Sequence, residues 1–173
     1  MILADVIRTL RISKENDSVI VEGAKKDGFS INSFYNHLLN RYVNTFRFID
    51  VFPCLVVPSK FVRELLDELP EDKIIKIGKN LGSYMPKHSL FLNGKTPTID
   101  NVLESMKTTC QNSNWYQFNS QTTNGKLKLL LRHKLGKNWS IYLKSYYQTL
   151  FKQLFKTTIK SEIGEDSIVI TIQ

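Results

Sequence analysis

Cysteine is scarce in this 173-residue chain, and its two copies, Cys54 and Cys110, lie far apart with no Cys-x-x-Cys spacing. That excludes a disulfide framework and a cysteine-built metal site. No apolar run approaches the roughly 18 residues that span a bilayer. The opening stretch carries Asp5 and Arg8 where a signal peptide keeps an unbroken apolar core. A cytoplasmic protein is expected. The chain also lacks GxSxG, HExxH, a phosphate loop and a dinucleotide fingerprint, so the residues point to no enzyme, cofactor or metal. His37, His88 and His133 fall in different elements, with no partner at metal-ligand spacing. No period of 20 to 50 residues recurs, which excludes a solenoid.

Acidic residues are missing from one long stretch. Between Glu104 and Glu162 there is no Asp or Glu, while ten Lys and Arg run from Lys107 to Lys160. The whole chain carries +8, with 24 Lys and Arg against 16 Asp and Glu. In residues 1–46, by contrast, six basic residues face five acidic ones. Such a balance favours a partner with negative charge, and on composition alone a nucleic acid and a merely well-solvated surface are both open. With 42% hydrophobic and 11% aromatic residues, the chain can also bury a core.

The first 46 residues read as a short strand and two helices. Leu10 and Ile12 alternate with Thr9 and Arg11 in strand fashion over Val6 to Ile12. Ser13 caps a first helix over about Lys14 to Asp27, which Gly28 closes. Ser30 caps a second, with Phe34, Tyr35, Leu38, Leu39, Tyr42 and Val43 at helical spacing and Phe29 as a staple. So short a segment rarely makes its own core, and a two-fold dimer with paired strands is one economical solution.

The order Arg8-Thr9-Leu10-Arg11-Ile12-Ser13, Ala24, Gly28-Phe29-Ser30 and the helix through Leu38, Leu39 and Val43 resembles the ribbon-helix-helix family of DNA-binding regulators. That resemblance implies paired N-terminal strands in the major groove, with Arg8, Thr9 and Arg11 meeting base edges. It also implies a phosphate held at the start of the second helix, on Ser30, Ile31 and Asn32. Asn16 and Gly23 depart from the family's pattern in the first helix.

Beyond residue 46, Phe52-Pro53-Cys54-Leu55-Val56-Val57 reads as a buried strand. Pro58-Ser59 begins one helix, Pro70 a second that ends before Pro86, and Thr98 a third. Asn124-Gly125 marks a hairpin between Trp115–Thr123 and Lys126–His133. Its second strand places Leu127, Leu129, Leu131 and His133 on a core face. Lys126, Lys128, Leu130, Arg132 and Lys134 take the other. Asn138 caps a long aromatic helix, and two strands follow, around residues 157–163 and 167–172. The run Leu131-Arg132-His133-Lys134-Leu135-Gly136 with Trp139-Ser140 bears a fainter resemblance to small α+β sensor modules of the 4-vinyl reductase type. Modules of that kind bind small hydrophobic molecules or mediate protein contacts.

The expected fold class is therefore α+β: a β-α-α unit in residues 1–46, then a sensor or interaction domain of helices and a mainly antiparallel sheet in 47–173. The expected function is a sequence-specific, DNA-binding transcriptional regulator that acts as a dimer on double-stranded DNA. A small-molecule effector is possible, and Lys126, Lys128, Arg132 and Lys134 serve as auxiliary phosphate contacts. The competing expectation is a small-molecule-binding or scaffolding protein that uses its N-terminal segment only to dimerise.

Overall fold

The structure, a computed structural model, describes residues 6–44, 46–48, 55–113, 115–123 and 125–172. The chain divides into two compact units, Met1–Pro53 and Cys54–Gln173.

The first unit is a helix pair. Helix α1 spans Lys14–Asp27, with the Asn16 N–H donating to Ser13 Oγ at 3.2 Å and Gly28 left-handed at φ 71°. Helix α2 spans Ile31–Asn44, and the Ser33 N–H donates to Ser30 Oγ at 3.1 Å. Phe29 just outside that cap packs on Phe34, the staple the sequence suggests. Gly23 has a tertiary use, because a Cβ there would stand 2.7 Å from Phe34 Cζ. The helix-propensity cost of glycine is therefore offset by a ring packed against bare backbone.

One correction is fundamental. Residues 6–13 form no strand but an exposed stretch without regular structure, so the N-terminal β-α-α unit of a ribbon-helix-helix protein is absent. A strand exists only when its backbone groups are paired, and among the described residues no segment pairs with 6–13. Alternation of side chains cannot supply that partner.

The second unit opens with two further corrections. Leu55, Val56 and Val57 are not a buried strand: they are exposed and irregular, and residues 52–54 of that run lie outside the described residues. Helix α3 then spans Ser59–Asp67 and α4 Glu71–Leu92, continuing through Pro86 instead of ending before it. The reason lies in α6, Gly136–Phe155, against which α4 packs more extensively than any other pair of elements. A Cβ on Gly78 would stand 2.7 Å from the Tyr142 carbonyl oxygen, and one on Gly82 would collide with the Tyr146 backbone. These glycines let two backbones approach. Burial of Ile74, Gly78, Gly82, Pro86 and Leu90 at four-residue intervals then carries the helix past its proline.

Helix α5, Ile99–Ser113, starts with the Asn101 N–H on Thr98 Oγ1 at 3.2 Å. Strands β1 Gln117–Thr123, β2 Lys126–Arg132, β3 Lys160–Ile163 and β4 Ser167–Ile172 form an antiparallel sheet in the order β1-β2-β4-β3. Gly125 turns the first hairpin at φ 71°. The inner face, with Leu129, Leu131, Ile168 and Ile170 fully buried, packs on α6, whose Leu143 and Phe151 are equally closed. Asn138 is not the cap of α6 but sits in its first turn, where its amide donates to the Leu66 carbonyl and Asp67 Oδ1, tying α3 to α6.

Candidate nucleic-acid interface

Strand register decides which residues share the sheet's outer face. Lys128 pairs with Gln121 on one side and Thr171 on the other, and Thr171 pairs with Lys160. The row Gln121–Lys128–Thr171–Lys160 therefore crosses all four strands. Asn119–Leu130–Val169–Glu162 forms the next row, and Gln117–Arg132–Ser167 a third. Lys126 faces Thr123 at the open end. Neighbouring strands stand about 4.8 Å apart and alternate residues about 6.8 Å, so Lys128 and Lys160 are about 10 Å apart and Lys126 to Arg132 spans about 20 Å.

This face carries four cations, Lys126, Lys128, Arg132 and Lys160, against one carboxylate, Glu162, with Asn, Gln, Thr and Ser side chains and the apolar pair Leu130 and Val169 between them. The four cations are exposed, and none makes an ion pair among the described residues. Lys134, in the bend after β2, is exposed beside them in sequence. The β2 alternation expected from the sequence is present. Lys160 joins the set only through the register of β3 against β4, a pairing no local pattern encodes.

In the first unit, Arg8, Thr9 and Arg11 are exposed on the irregular stretch before α1, not on a paired ribbon. Ser30, Ile31 and Asn32 are exposed at the start of α2, where the Ser30 hydroxyl serves Ser33. The structure thus places the base-contact and phosphate-contact candidates in one unit and the auxiliary lysines in the other.

Two constellations inside the second unit look like chemistry and act as structure. His133 Nε2 lies 2.9 Å from Ser140 Oγ, and Asp166 Oδ1 lies 3.8 Å from His133 Nδ1, the residue types of a nucleophilic triad. Ser140, however, is fully buried and donates to the Ser167 carbonyl at 3.1 Å. The Leu135 N–H donates to His133 Nδ1, which leaves the proton on Nε2 and the ring neutral. Burial pushes the His133 pKa down, opposed by the Asp166 and Glu165 carboxylates. No substrate can reach that serine. The network instead joins β2, the start of α6 and β4.

The aromatic cluster is closed in the same way. Trp139 stacks on Tyr142 at 4.6 Å, Trp115 meets Trp139 edge-on at 5.4 Å, and Trp139 Nε1 donates to the Trp115 carbonyl. The hydroxyls of Tyr116 and Tyr147 meet at 2.5 Å in the core. Rings fill the space a ligand would need. Among the described residues, no group of three or more His, Cys, Asp or Glu side chains could hold a metal ion. None of the described helices is long and apolar enough to cross a membrane.

No protein-family model matches the chain, and no curated protein matches it. The ribbon-helix-helix reading is therefore overturned by the missing strand and finds no support in comparison. The resemblance to 4-vinyl reductase-type modules likewise has no match behind it.

Proposed function

We propose that this protein is a dimeric DNA-binding regulator whose second unit holds phosphates on the outer face of its sheet. The observation that carries this reading is the cross-strand array of Lys126, Lys128, Arg132 and Lys160, unpaired among the described residues and set among neutral polar side chains around a central Leu130 and Val169. An isolated protein gains nothing by concentrating unneutralised cations on one sheet face, whereas a duplex carries one negative charge about every 3.4 Å along each strand. Neutralising those charges releases counterions and supplies affinity without sequence preference.

Sequence preference is assigned to the first unit. Arg8, Thr9 and Arg11 are exposed ahead of the capped helix α1, with no ribbon required to present them, and arginine suits guanine O6 and N7. The start of α2, where Ile31 and Asn32 are exposed beside Ser30, suits a phosphate that fixes register. Dimerisation belongs to the same unit. Among its described residues only Ala24 is buried, while Val19, Val21, Ile31, Leu39, Tyr42 and Val43 remain exposed.

The test is a competition assay between a selected DNA site and random duplex. Arg11→Ala is expected to reduce discrimination by the equivalent of about 1 to 3 kcal/mol. Unchanged preference would remove the base-reading role, and absence of any salt-sensitive duplex binding would remove the function itself. A second reading, a self-associating scaffold, is favoured by the same exposed apolar residues. Concentration-dependent assembly without duplex binding would establish it.

A further inference from the structure

An open sheet has two edges, and proteins keep such edges from pairing with other chains by charge, proline, bulges or brevity. Here the strand order β1-β2-β4-β3 leaves β1 and β3 outermost. Strand β3 is guarded, because it has only four residues and carries Lys160 and Glu162. Strand β1 is not. Its seven residues, Gln117–Thr123, include no charge, proline or glycine, and all but Phe118 are exposed. They pair one for one with β2, without a bulge. Among the described residues no strand pairs with the other side of β1.

Register decides which backbone groups that side holds. The two-residue loop closes on the Thr123–Lys126 pair, which makes this pair a hydrogen-bonded one. Bonded pairs alternate along an antiparallel ladder, so Gln117, Asn119, Gln121 and Thr123 turn their N–H and C=O groups to β2. The N–H and C=O groups of Phe118, Ser120 and Thr122 point outward. They are spaced symmetrically about Ser120, and an identical edge running the opposite way satisfies every one of them.

We propose that β1 pairs with β1 of a second copy, antiparallel about a two-fold axis at Ser120, joining two sheets into one of eight strands. The axis sets Ser120 opposite Ser120 and Phe118 opposite Thr122 as the bonded pairs. On the outer face it sets Asn119 opposite Gln121 and Gln117 opposite Thr123, neutral side chains that donate and accept hydrogen bonds across the seam. A second copy thus brings the match that a foreign strand would have to acquire. Charge does not oppose the contact. The row that crosses the seam from Arg132 through Gln117 and Thr123 ends on Lys126 of the second copy, three strand spacings or about 14 Å away. That exceeds the Debye length of about 8 Å at physiological salt. The contact is separate from the dimerisation assigned to α1 and α2. Its consequence for duplex binding, which alone rests on the DNA reading above, is that the cationic arrays of both copies lie on one side of one sheet.

The experiment follows amide hydrogen exchange in the full-length chain by NMR, without DNA, over a range of protein concentrations. The amides of Phe118, Ser120 and Thr122 are expected to exchange fast in dilute protein and to gain protection as concentration rises, while those of Asn119 and Gln121 stay protected throughout. Ser120→Lys sets like charges face to face and should abolish the gain, as should Ser120→Glu. An equimolar mixture of the two variant chains should regain it. Unchanged protection of Asn119 and Gln121 reports that the hairpin of each variant is intact. Exchange at Phe118, Ser120 and Thr122 that ignores concentration, a gain that survives in either variant alone, or a mixture that fails to regain it would each overturn the proposal. None of these outcomes involves DNA, so the pairing and the DNA reading fail separately.

Discussion

His133 Nε2 donates to Ser140 Oγ at 2.9 Å while the Ser140 hydroxyl donates in turn to the Ser167 carbonyl, so the two side chains form a one-directional chain of hydrogen bonds. A catalytic serine needs its lone pairs facing a substrate; this one faces a histidine donor and is sealed. Ser140→Ala is expected to cost about 1 to 3 kcal/mol, because it leaves the buried His133 N–H without its partner, while the Ser167 carbonyl keeps the Gly164 N–H. Chemical denaturation measures it. Labelling of Ser140 in the folded protein by a serine-directed phosphonate would contradict the closed geometry.

The same histidine sets a pH dependence. Its folded-state pKa lies below the ordinary value of about 6.5, so the unfolded chain takes up the proton first. The stability tied to neutral His133 is complete above about pH 6.5 and declines as pH falls from there towards the folded pKa. Melting temperature followed from neutral to mildly acidic pH should fall, and His133→Gln should flatten that part of the curve. A wild-type profile unchanged by the substitution would show that other groups govern it.

Tyrosine titration runs the other way. Burial raises the pKa of Tyr116, Tyr142, Tyr146 and Tyr147, chiefly by desolvation. For an acid raised on folding, stability is full below the unfolded value near 10 and is lost as pH climbs above it. Ultraviolet titration of the seven tyrosines should therefore show these four ionising only with unfolding. Smooth ionisation of all seven in a folded chain would be the opposing result.

Glycine at the α4–α6 contact is expected to be irreplaceable. Gly82→Ala should destabilise by about 1 to 3 kcal/mol or more, since its methyl group meets Tyr146 backbone and not a movable side-chain tip. Gly78→Ala should behave similarly against the Tyr142 carbonyl. Helix propensity alone predicts a gain of about 1 kcal/mol, so the sign of the change in denaturation midpoint decides between local and tertiary control.

Salt dependence tests the sheet face. Each phosphate contact contributes about −0.9 to the slope of log affinity against log salt, so Lys128→Ala with Lys160→Ala should make it shallower by about 2. Glu162→Gln should strengthen duplex binding at low salt by removing the face's one carboxylate. An unaltered slope in the double variant would assign the phosphates elsewhere.

Hydrogen exchange should separate the units. Protection is expected to concentrate in α6, β2 and β4, where Leu129, Leu131, Leu143, Phe151, Ile168 and Ile170 are closed to solvent, and to be low in α1 and α2. Protection of α1 and α2 that rises with protein concentration would show self-association supplying the missing burial. Equal protection throughout at every concentration would refute it.

Much of this structure is legible in the residues because its causes are local. Ser13 and Gly28 bound α1, Ser30 caps α2 with Phe29 against Phe34, and Asn124-Gly125 separates two alternating segments; each is a matter of a few neighbouring backbone groups. The alternation of β2 likewise told which side chains face water. What failed needed a partner the local pattern does not name. Residues 6–13 alternate like a strand yet pair with nothing among the described residues, Val56 is apolar yet exposed, and Pro86 lies inside a helix whose buried line, set against α6 at Gly78 and Gly82, runs on to Leu90. Only the fold put Lys160 in one row with Lys128, through the β3–β4 register, and only the fold set Gly78 and Gly82 against the α6 backbone. Caps and periodicity act over four residues, whereas pairing, close approach and the assembly of a charged face act between segments tens of residues apart.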